Sequence, residues 1–264
     1  MVKKEIKKSK KRLDELLLER GIATSMKESQ SLILSGQILV EDQKTSHVGS
    51  RFSETAVIRC LKKKRAYVSR SGEKLSGALS HFSIPVKNRV ALDIGISTGG
   101  FTDCLLQQGA KHVFGVDVSY GLTDYSLQDN DQVTLIERQN ARTLSLEDLE
   151  KALLKASQPM ALAKEISLIV MDLSFISILK VLPQLRLFLP KDTEYLCLVK
   201  PQFESKKEEV PKGGIIQDTE LREAIISRVI TAVDSLGYEN LGRCPSTLAG
   251  TKGNLEEFIW LRCR

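Results

Sequence analysis

Residues 91–101 read ALDIGISTGGF, an apolar strand-like run that passes through a glycine-rich turn into a helix-like segment. Gly95, Gly99 and Gly100 have no side chains, so a ligand can approach the backbone closely at this turn. The N-terminus of the helix that follows favours partial negative charge. This succession of strand, turn and helix is typical of the first unit of a nucleotide-binding α/β domain.

The same alternation continues on the C-terminal side of this stretch. Strand-like and amphipathic helical segments follow one another from RVALDIG (89–95) to NLEEFIWLR (254–262). Near-continuous Val, Ile and Leu strands between such helices indicate a parallel sheet that is covered on both faces. The sequence therefore predicts an α/β fold, with a doubly wound Rossmann-like sheet that binds its ligand beyond the carboxyl ends of the strands.

A carboxylate stands at the end of the second predicted strand, where Asp117 follows Asp93 by 24 positions. A carboxylate there can accept both hydroxyls of a ribose, which indicates a nucleoside-bearing cofactor. Ser97 stands where a dinucleotide fingerprint has its second glycine, and the turn is closer to the DxGxxxGG pattern of S-adenosylmethionine enzymes. We expect S-adenosylmethionine, with NAD as the weaker alternative.

The turn after the third predicted strand, QNAR (139–142), is a further part of the expected cofactor site. Asn140 and Ala141 are placed to line an adenine pocket. The alternative is an ordinary strand-to-helix turn without a ligand.

The N-terminal part of the chain predicts a small separate unit. Apolar residues in RLDELLLERG (12–21) recur at helical spacing, and Ser25 precedes Glu28 by three positions, the pattern of a capped second helix from about Met26 to Ser35. Short strands separated by polar turns follow. On RLDELLLERGIATS (12–25) and LILSGQILV (32–40), this unit resembles the S4-like RNA-binding module, an α+β fold; the alternative is a helical module that docks proteins.

Charge is unevenly distributed along the chain. Residues 1–70 hold 17 basic and 8 acidic side chains, whereas residues 71–264 hold 22 and 25, so the first quarter is the part suited to a polyanion such as RNA. We expect a basic tail (1–10), the S4-like domain (11–61), a linker (62–70) and the large α/β domain (71–264). The side chains expected to contact RNA are Lys11, Arg12, Lys27, Arg51, Lys62, Lys63, Lys64 and Arg65.

Composition limits the other classes of protein. The five cysteines form no CxxC pair and there are three histidines, so neither a disulfide framework nor a metal site is expected. No apolar run approaches the ~18 residues of a membrane span, and the N-terminus lacks the apolar core of a signal peptide. We expect a cytoplasmic monomer without a stable membrane partner.

Four polar residues stand at the predicted ligand edge or near it. Asp172 ends ISLIVMD and Lys200 ends YLCLVK, so both emerge at the carboxyl ends of apolar strands. Lys74 begins the first helix of the large domain, and Glu256 lies in the last strand-like run. Strand alternation places Glu256 and Glu257 on opposite faces, so only one of them faces the ligand edge. Taken singly, each of these charges is also consistent with a solvated or paired surface residue.

Together these motifs resemble the TlyA family of bacterial ribosomal-RNA 2′-O-methyltransferases, which carry an S4-like module before an FtsJ-like methyltransferase domain. The resemblance runs from about residue 10 to residue 264 and includes RAYVSRSGEKL (65–75), VMDLSFIS (170–177), LVKPQFE (198–204) and GNLEEFIWLR (253–262). It implies S-adenosylmethionine-dependent methylation of a cytidine ribose in 16S or 23S ribosomal RNA, or in both. The family has also carried a haemolysin label.

The resemblance also implies the roles of individual residues. The catalytic set is Lys74, Asp172, Lys200 and Glu256, with Lys200 contacting the ribose hydroxyl either as a neutral base or as a cation. The cofactor set is Asp93, Gly95, Ser97, Thr98, Gly99, Gly100, Phe101, Asp117, Val118, Asn140, Ala141 and Asp172. Two other functions stay open, an RNA-binding ribosome-assembly factor with a vestigial cofactor pocket and a membrane-active protein.

Overall fold

The computed structural model describes residues 10–61 and 66–264. The chain divides into two compact units, Met1–Lys64 and Arg65–Arg264. Within the two described ranges, no helix combines the length and the apolar composition needed to cross a membrane.

The smaller unit packs two helices around an apolar core that includes Leu13, Leu17, Ile33 and Ile38. The Ser25 side chain accepts a hydrogen bond from the Glu28 backbone N–H, which confirms the predicted start of the second helix. The elements are β1 (Lys10–Arg12), α1 (Leu13–Glu19), α2 (Met26–Leu34), β2 (Ile38–Val40), β3 (Gln43–Lys44), β4 (Arg51–Ser53) and β5 (Ile58–Cys60). Strands β3, β2 and β5 form one small sheet, and β1 pairs with β4.

The larger unit is built on a seven-stranded sheet. Its strands are β6 (Val90–Ile94), β7 (His112–Val116), β8 (Val133–Ile136), β9 (Ile166–Met171), β10 (Glu194–Val199), β11 (Tyr238–Pro245) and β12 (Glu257–Cys263). Its helices are α3 (Ser71–Phe82), α4 (Gly100–Gln107), α5 (Tyr125–Gln128), α6 (Leu146–Lys155), α7 (Leu182–Leu185), α8 (Pro201–Glu204) and α9 (Thr219–Ser235).

The strand order β11-β12-β10-β9-β6-β7-β8 places the first strand of the domain in the middle of the sheet. From β6 the chain builds outward through β7 and β8, and it then returns to build the other half from β9. The direction of winding therefore reverses between β6 and β9. Ligands of doubly wound sheets bind in the crevice at such a point, beyond the carboxyl ends of the strands.

Both faces of the sheet are covered, as the alternation of segments predicts. Leu75 and Leu79 of α3 and Leu105 of α4 belong to the apolar core on one face. Residues of α6 and α9, such as Leu149 and Val229, belong to the core on the other face. The predicted α/β class with a Rossmann-like sheet is confirmed.

Three details differ from the sequence-based expectation. The sheet is not wholly parallel, because β12 runs antiparallel to both β10 and β11. Strand β11 escaped prediction because it is an edge strand with a bulge and polar residues along much of its length. Between β9 and β10, where the alternation predicts an amphipathic helix, the chain forms a short 3-10 turn followed by the single turn α7.

Hydrogen bonds to α4 hold the residues that directly precede α3. Residues 66–70 belong to the larger unit, where Asp103 of α4 accepts a hydrogen bond from the Val68 backbone N–H. Gln107 of the same helix donates to the Ala66 carbonyl oxygen. These bonds fix the chain immediately before α3, which carries Lys74.

A tight contact between the glycine-rich turn and β7 restricts which residue can occupy position 115. A β-carbon added to Gly115 would overlap Cδ1 of the buried Ile96 and would lie 3.1 Å from Cδ2 of Leu135. The absence of a side chain at Gly115 therefore makes room for Ile96, whose backbone forms part of the turn.

We expect Gly115→Ala to lower the free energy of unfolding by ~1–3 kcal/mol, the usual cost of overpacking a core. Ile96→Val removes the overlapping methyl, so in its background Gly115→Ala is expected to cost less. Denaturant unfolding of the two single variants and the double variant measures this coupling. Strictly additive costs would show that the two residues do not compete for the same space.

Candidate active site

A cavity of about 390 Å³ opens at the carboxyl edge of the sheet, beside the ends of β6, β7 and β8. Its volume is in the range of ~300–1,000 Å³ that is typical of small-molecule sites. The predicted cofactor residues that line it are Gly95, Ser97, Asp117, Val118, Asn140, Ala141 and Asp172. The structure thus brings together seven residues that are spread over nearly 80 positions of the sequence.

Asp117 fixes two turns of this cavity. Its Oδ2 accepts a hydrogen bond from the Ser97 backbone N–H at 2.9 Å, and its Oδ1 accepts from the Ser119 backbone N–H at 2.8 Å. An ionised carboxylate has about four acceptor sites, so Asp117 can still accept ribose hydroxyls. The Ser97 N–H, in contrast, already donates its hydrogen bond to Asp117 and is not available to bind a pyrophosphate. This arrangement disfavours the NAD alternative.

Gly95 directly follows β6 and lies against Asp172, the residue that directly follows β9. Its φ is +88°, and a β-carbon there would lie only 2.7 Å from the Asp172 carbonyl oxygen. Only glycine fits this position without displacing the backbone of the neighbouring strand end. The bare backbone leaves the floor of the cavity open to a ligand.

Three predicted cofactor residues line neither this cavity nor the next, namely Asp93, Gly99 and Gly100. Asp93 is fully buried under the turn, where its Oδ2 accepts a hydrogen bond from Thr102 Oγ1 at 2.7 Å. Burial raises the pKa of the Asp93 carboxyl to about 7. In the described parts of the chain its Oδ1 has no hydrogen-bond partner.

A second cavity, of about 250 Å³, adjoins the first and shares Gly95, Ser97, Asp172 and Ser174 with it. Thr98 and Phe101 of the glycine-rich turn line this second cavity. All four predicted catalytic residues line it as well, namely Lys74, Asp172, Lys200 and Glu256. They come from the start of α3, the ends of β9 and β10, and the residue before β12.

The four catalytic candidates form two ion pairs. Lys74 Nζ donates a hydrogen bond to Glu256 Oε2 at 2.6 Å, and both side chains are almost completely buried. Lys200 Nζ lies 2.6 Å from Asp172 Oδ1, a charge contact whose angle is outside that of a hydrogen bond. This second pair is less buried, so Lys200 is the lysine more accessible to a substrate.

The two adjacent glutamates separate as predicted, although not through strand alternation alone. Glu256 precedes β12 and lies in the cavity, whereas Glu257 is the first residue of the strand. Glu257 is nevertheless buried, and Oε2 lies 3.8 Å from Arg243 Nη1. Burial raises the pKa of Glu257 from its ordinary value.

The RNA-binding candidates lie in the smaller unit or outside the described ranges. Lys11 pairs with Glu19 at 2.8 Å, and Arg12 pairs with Asp14 at 2.7 Å. Lys27 and Arg51 are exposed, whereas Lys62, Lys63, Lys64 and Arg65 fall outside the described residues.

Several cavity residues escaped the sequence analysis. Ser69, Arg70, Ser71 and Thr251 line the second cavity, and Leu173 to Ile176 line the first. The last group directly follows Asp172 at the end of a strand, so the DLSFI run itself was a usable signal. Thr251 belongs to an irregular loop, and nothing in its local sequence places it at the site.

Comparison with known proteins identifies the family. Residues 67–263 match the FtsJ-like methyltransferases. The chain belongs to this family. It is 38% identical over 252 residues to the 16S/23S rRNA (cytidine-2′-O)-methyltransferase TlyA of Mycobacterium tuberculosis, covering 95% of this chain and 89% of the relative.

Other relatives of this FtsJ-like methyltransferase carry a haemolysin name. Hemolysin A of Brachyspira hyodysenteriae is 39% identical over 245 residues, covering 93% of this chain and 97% of the relative. A solved structure of a Streptococcus thermophilus protein named as a hemolysin has a TM-score of 0.70 and 29% identity, covering 97% of this chain and 89% of that chain.

S-adenosylmethionine is the cofactor of this FtsJ-like methyltransferase. The first cavity fits it, because the cavity combines a bare backbone at Gly95, an available carboxylate at Asp117 and apolar walls at Val118, Ala141 and Val181. The role of each residue toward the cofactor is a prediction.

We expect Asp117→Asn to weaken S-adenosylmethionine binding at least tenfold. Hydrogen bonds to a charged group are worth ~1.5–3 kcal/mol, and about 1.4 kcal/mol is a tenfold change in affinity. Asp124→Asn is the matched control, because Asp124 is exposed and only caps α5 through Ser126. Calorimetric titration measures both affinities, and equal dissociation constants for wild type and both variants would contradict the assignment.

Proposed function

We propose that this chain transfers the methyl group of S-adenosylmethionine to the 2′-hydroxyl of a cytidine in ribosomal RNA. The observation that carries the proposal is the pair of lysine–carboxylate contacts in a cavity that adjoins the cofactor cavity. The relative from M. tuberculosis is named for the same reaction on 16S and 23S RNA. Two lysines and two carboxylates are suited to an oxygen nucleophile that must lose a proton.

A ribose hydroxyl is a weak nucleophile at neutral pH, so the protein must hold it in line with the methyl group. The bound cofactor supplies a methyl group that is already activated by its sulfonium charge. Positioning alone contributes a large part of the rate enhancement in such transfers, up to ~7–11 kcal/mol. The cavity walls and Lys200 are the parts of the chain that would hold the hydroxyl.

The geometry favours an electrostatic role for Lys200. Its Nζ is 2.6 Å from the Asp172 carboxylate, so the two side chains form an ion pair beside the cofactor cavity. An ammonium cannot abstract a proton, but it stabilises the negative charge that develops on the 2′-oxygen as the hydroxyl proton passes to a solvent water. Of the two roles that the sequence left open, we propose the cationic one.

The pair of Lys74 and Glu256 supports this arrangement from a more buried position. Removing one member of such a pair leaves an uncompensated charge, which typically costs ~3–5 kcal/mol. Its hydrogen bond of 2.6 Å connects the start of α3 to the segment before β12. We propose that it fixes the two walls between which the ribose is placed.

We propose that the smaller unit is an S4-like module that binds the RNA. Two helices packed with short strands support the proposal, as does the basic first quarter of the sequence. The excess of basic residues does not lie within residues 10–61 of this unit, however. Residues 10–61 hold eight basic and seven acidic side chains, so the excess lies in residues 1–9 and 62–70. RNA affinity is therefore expected to depend on these flanking segments together with exposed residues such as Lys27 and Arg51.

Methyl transfer to ribosomal particles tests the proposed reaction. Radiolabel from S-adenosylmethionine is expected in 2′-O-methylcytidine after digestion of the RNA, and Lys200→Ala is expected to abolish it. Lys164→Ala is the matched control, because Lys164 is exposed and lies outside the cavities. Label in a base nitrogen or carbon would contradict the proposed chemistry.

The two adjacent glutamates should respond differently to the same substitution. We expect Glu256→Gln to slow methyl transfer by on the order of 100-fold or more, because it breaks the buried pair with Lys74. Glu257→Gln should stay within about twofold, since Glu257 lies outside the cavity and contacts Arg243. Initial rates under saturating cofactor measure both.

A double variant separates the effect of Glu256→Gln on stability from its effect on methyl transfer. Lys74→Met combined with Glu256→Gln removes both charges, and such replacement is often neutral or stabilising. We expect it to recover the melting temperature without recovering methyl transfer. Recovery of both would show that the pair is only structural.

Charge reversal tests the RNA-binding role of the smaller unit. We expect Lys27→Glu and Arg51→Glu each to weaken binding to ribosomal RNA and to reduce the salt dependence by about one phosphate contact. Arg59→Glu changes the net charge equally, but Arg59 pairs with Asp42 at 2.8 Å and should have a smaller effect. Equal losses at the three positions, measured by filter binding over a range of salt concentrations, would indicate a non-specific charge effect.

A further inference from the structure

A serine hydroxyl lies where three cavities meet. Ser174 lines the cofactor cavity, the catalytic cavity and a third cavity of about 270 Å³ on the far side of Lys200. Its Oγ accepts a hydrogen bond from Lys200 Nζ at 3.0 Å. Ser174 is exposed at the rim of the site, so its hydroxyl has no part in packing the core.

This contact completes the surroundings of the Lys200 ammonium. The ammonium donates one hydrogen bond, to Ser174 Oγ at 3.0 Å, and it lies in charge contact with Asp172 Oδ1 at 2.6 Å. The hydrogen bond restricts rotation about the Cε–Nζ bond, so the two remaining N–H groups have defined directions. With Asp172 alone, the ammonium could turn about a single contact.

The backbone next to Ser174 adopts an unusual conformation. Phe175 has a φ of +66°, a region that bulky residues rarely occupy, and its side chain is 90% exposed. Such conformations persist only where the surroundings impose them, and they concentrate at functional sites. Phe175 directly follows Ser174, so this conformation lies next to the residue that contacts Lys200.

The segment after β10 holds this turn in place. The Phe175 and Phe203 rings lie 5.1 Å apart, and Glu204 Oε1 accepts a hydrogen bond from the Ile178 backbone N–H at 2.9 Å. The other carboxylate oxygen of Glu204 contacts the Ser177 hydroxyl. The loops that follow β9 and β10 are thus joined by the contact of Lys200 with Asp172, by the two aromatic rings and by the hydrogen bonds of Glu204.

We propose that Ser174 is a positioning residue, which orients the Lys200 ammonium toward the 2′-oxygen, and that Glu204 maintains the turn presenting it. The inference rests on the proposed function, because it assigns one of the remaining N–H groups of Lys200 to the ribose oxygen. Ser174 acts through Lys200 and is not a proton donor or acceptor in the transfer.

Steady-state kinetics with ribosomal particles test the proposal. We expect Ser174→Ala to lower kcat by about 10- to 100-fold, as for loss of a hydrogen bond to a charged group. The KM for RNA and the S-adenosylmethionine dissociation constant should stay within about twofold, and Ser174→Thr, which keeps the hydroxyl, should recover most of kcat. Glu204→Ala should lower kcat in the same way. Ser205→Ala is the matched control, because its hydroxyl has no hydrogen-bond partner in the described residues and lines none of the three cavities.

A measurement without turnover separates this inference from the proposed function. Reductive methylation with formaldehyde, followed by peptide mass spectrometry, reports how readily each lysine reacts. We expect Ser174→Ala to raise the reactivity of Lys200 several-fold and to leave Lys74, which pairs with Glu256, unchanged.

The possible results are distinct. An unchanged kcat in Ser174→Ala, a change confined to the cofactor dissociation constant, or a loss of kcat that only follows a lower melting temperature would overturn the inference. If the wild-type chain transfers no methyl group to RNA, the proposed function fails, while the difference in Lys200 reactivity still reports the contact with Ser174.

Discussion

The close approach of β6 to β9 is the constraint on which the site depends. The two strands end at neighbouring points of the sheet, and no side chain fits between the turn at Gly95 and the carbonyl oxygen of Asp172. Because the winding of the sheet reverses here, the following segments diverge to either side. The cofactor cavity opens toward the ends of β7 and β8, and the catalytic cavity opens toward Lys200 and Glu256. Gly95 therefore lies where the two cavities adjoin.

The two ion pairs of the catalytic cavity are not equivalent. The pair of Lys74 and Glu256 is the more buried, and burying two charges is seldom the most stable use of such a position. A buried ion pair at this position is explained if it positions α3 against the segment before β12. The pair of Lys200 and Asp172 is more exposed, and Lys200 Nζ also donates a hydrogen bond to Ser174. This exposure is consistent with the proposed contact of Lys200 with the substrate.

Much of this architecture can be read from the sequence, because strand ends and glycine turns leave local signals. The α/β class, the glycine-rich turn and the presence of Asp117, Asp172 and Lys200 at strand ends all follow from apolar runs with a polar residue at the end. The family resemblance added Lys74 and selected Glu256 over Glu257. The structure brings all of these residues to one edge of the sheet.

The features that were missed depend on tertiary contacts. Strand β11 has no clean apolar pattern because it lies at an edge, where it pairs with the antiparallel strand β12. Ser174 is an ordinary serine in the sequence, and its hydrogen bond from Lys200 is a contact between two strand ends that no local pattern predicts. The basic residues Lys11 and Arg12 looked available to RNA, yet each is paired with a carboxylate.

The central claim is that this site methylates a ribose oxygen of ribosomal RNA. Nucleotide-resolution mapping of ribose methylation in cells that lack this chain, and in the same cells supplied with it or with its Lys200→Ala variant, tests the claim most directly. We predict that at least one cytidine gains a 2′-O-methyl group with the wild-type chain and not with the variant. Identical methylation maps in all three, or a gain on a base in place of a ribose, would contradict it.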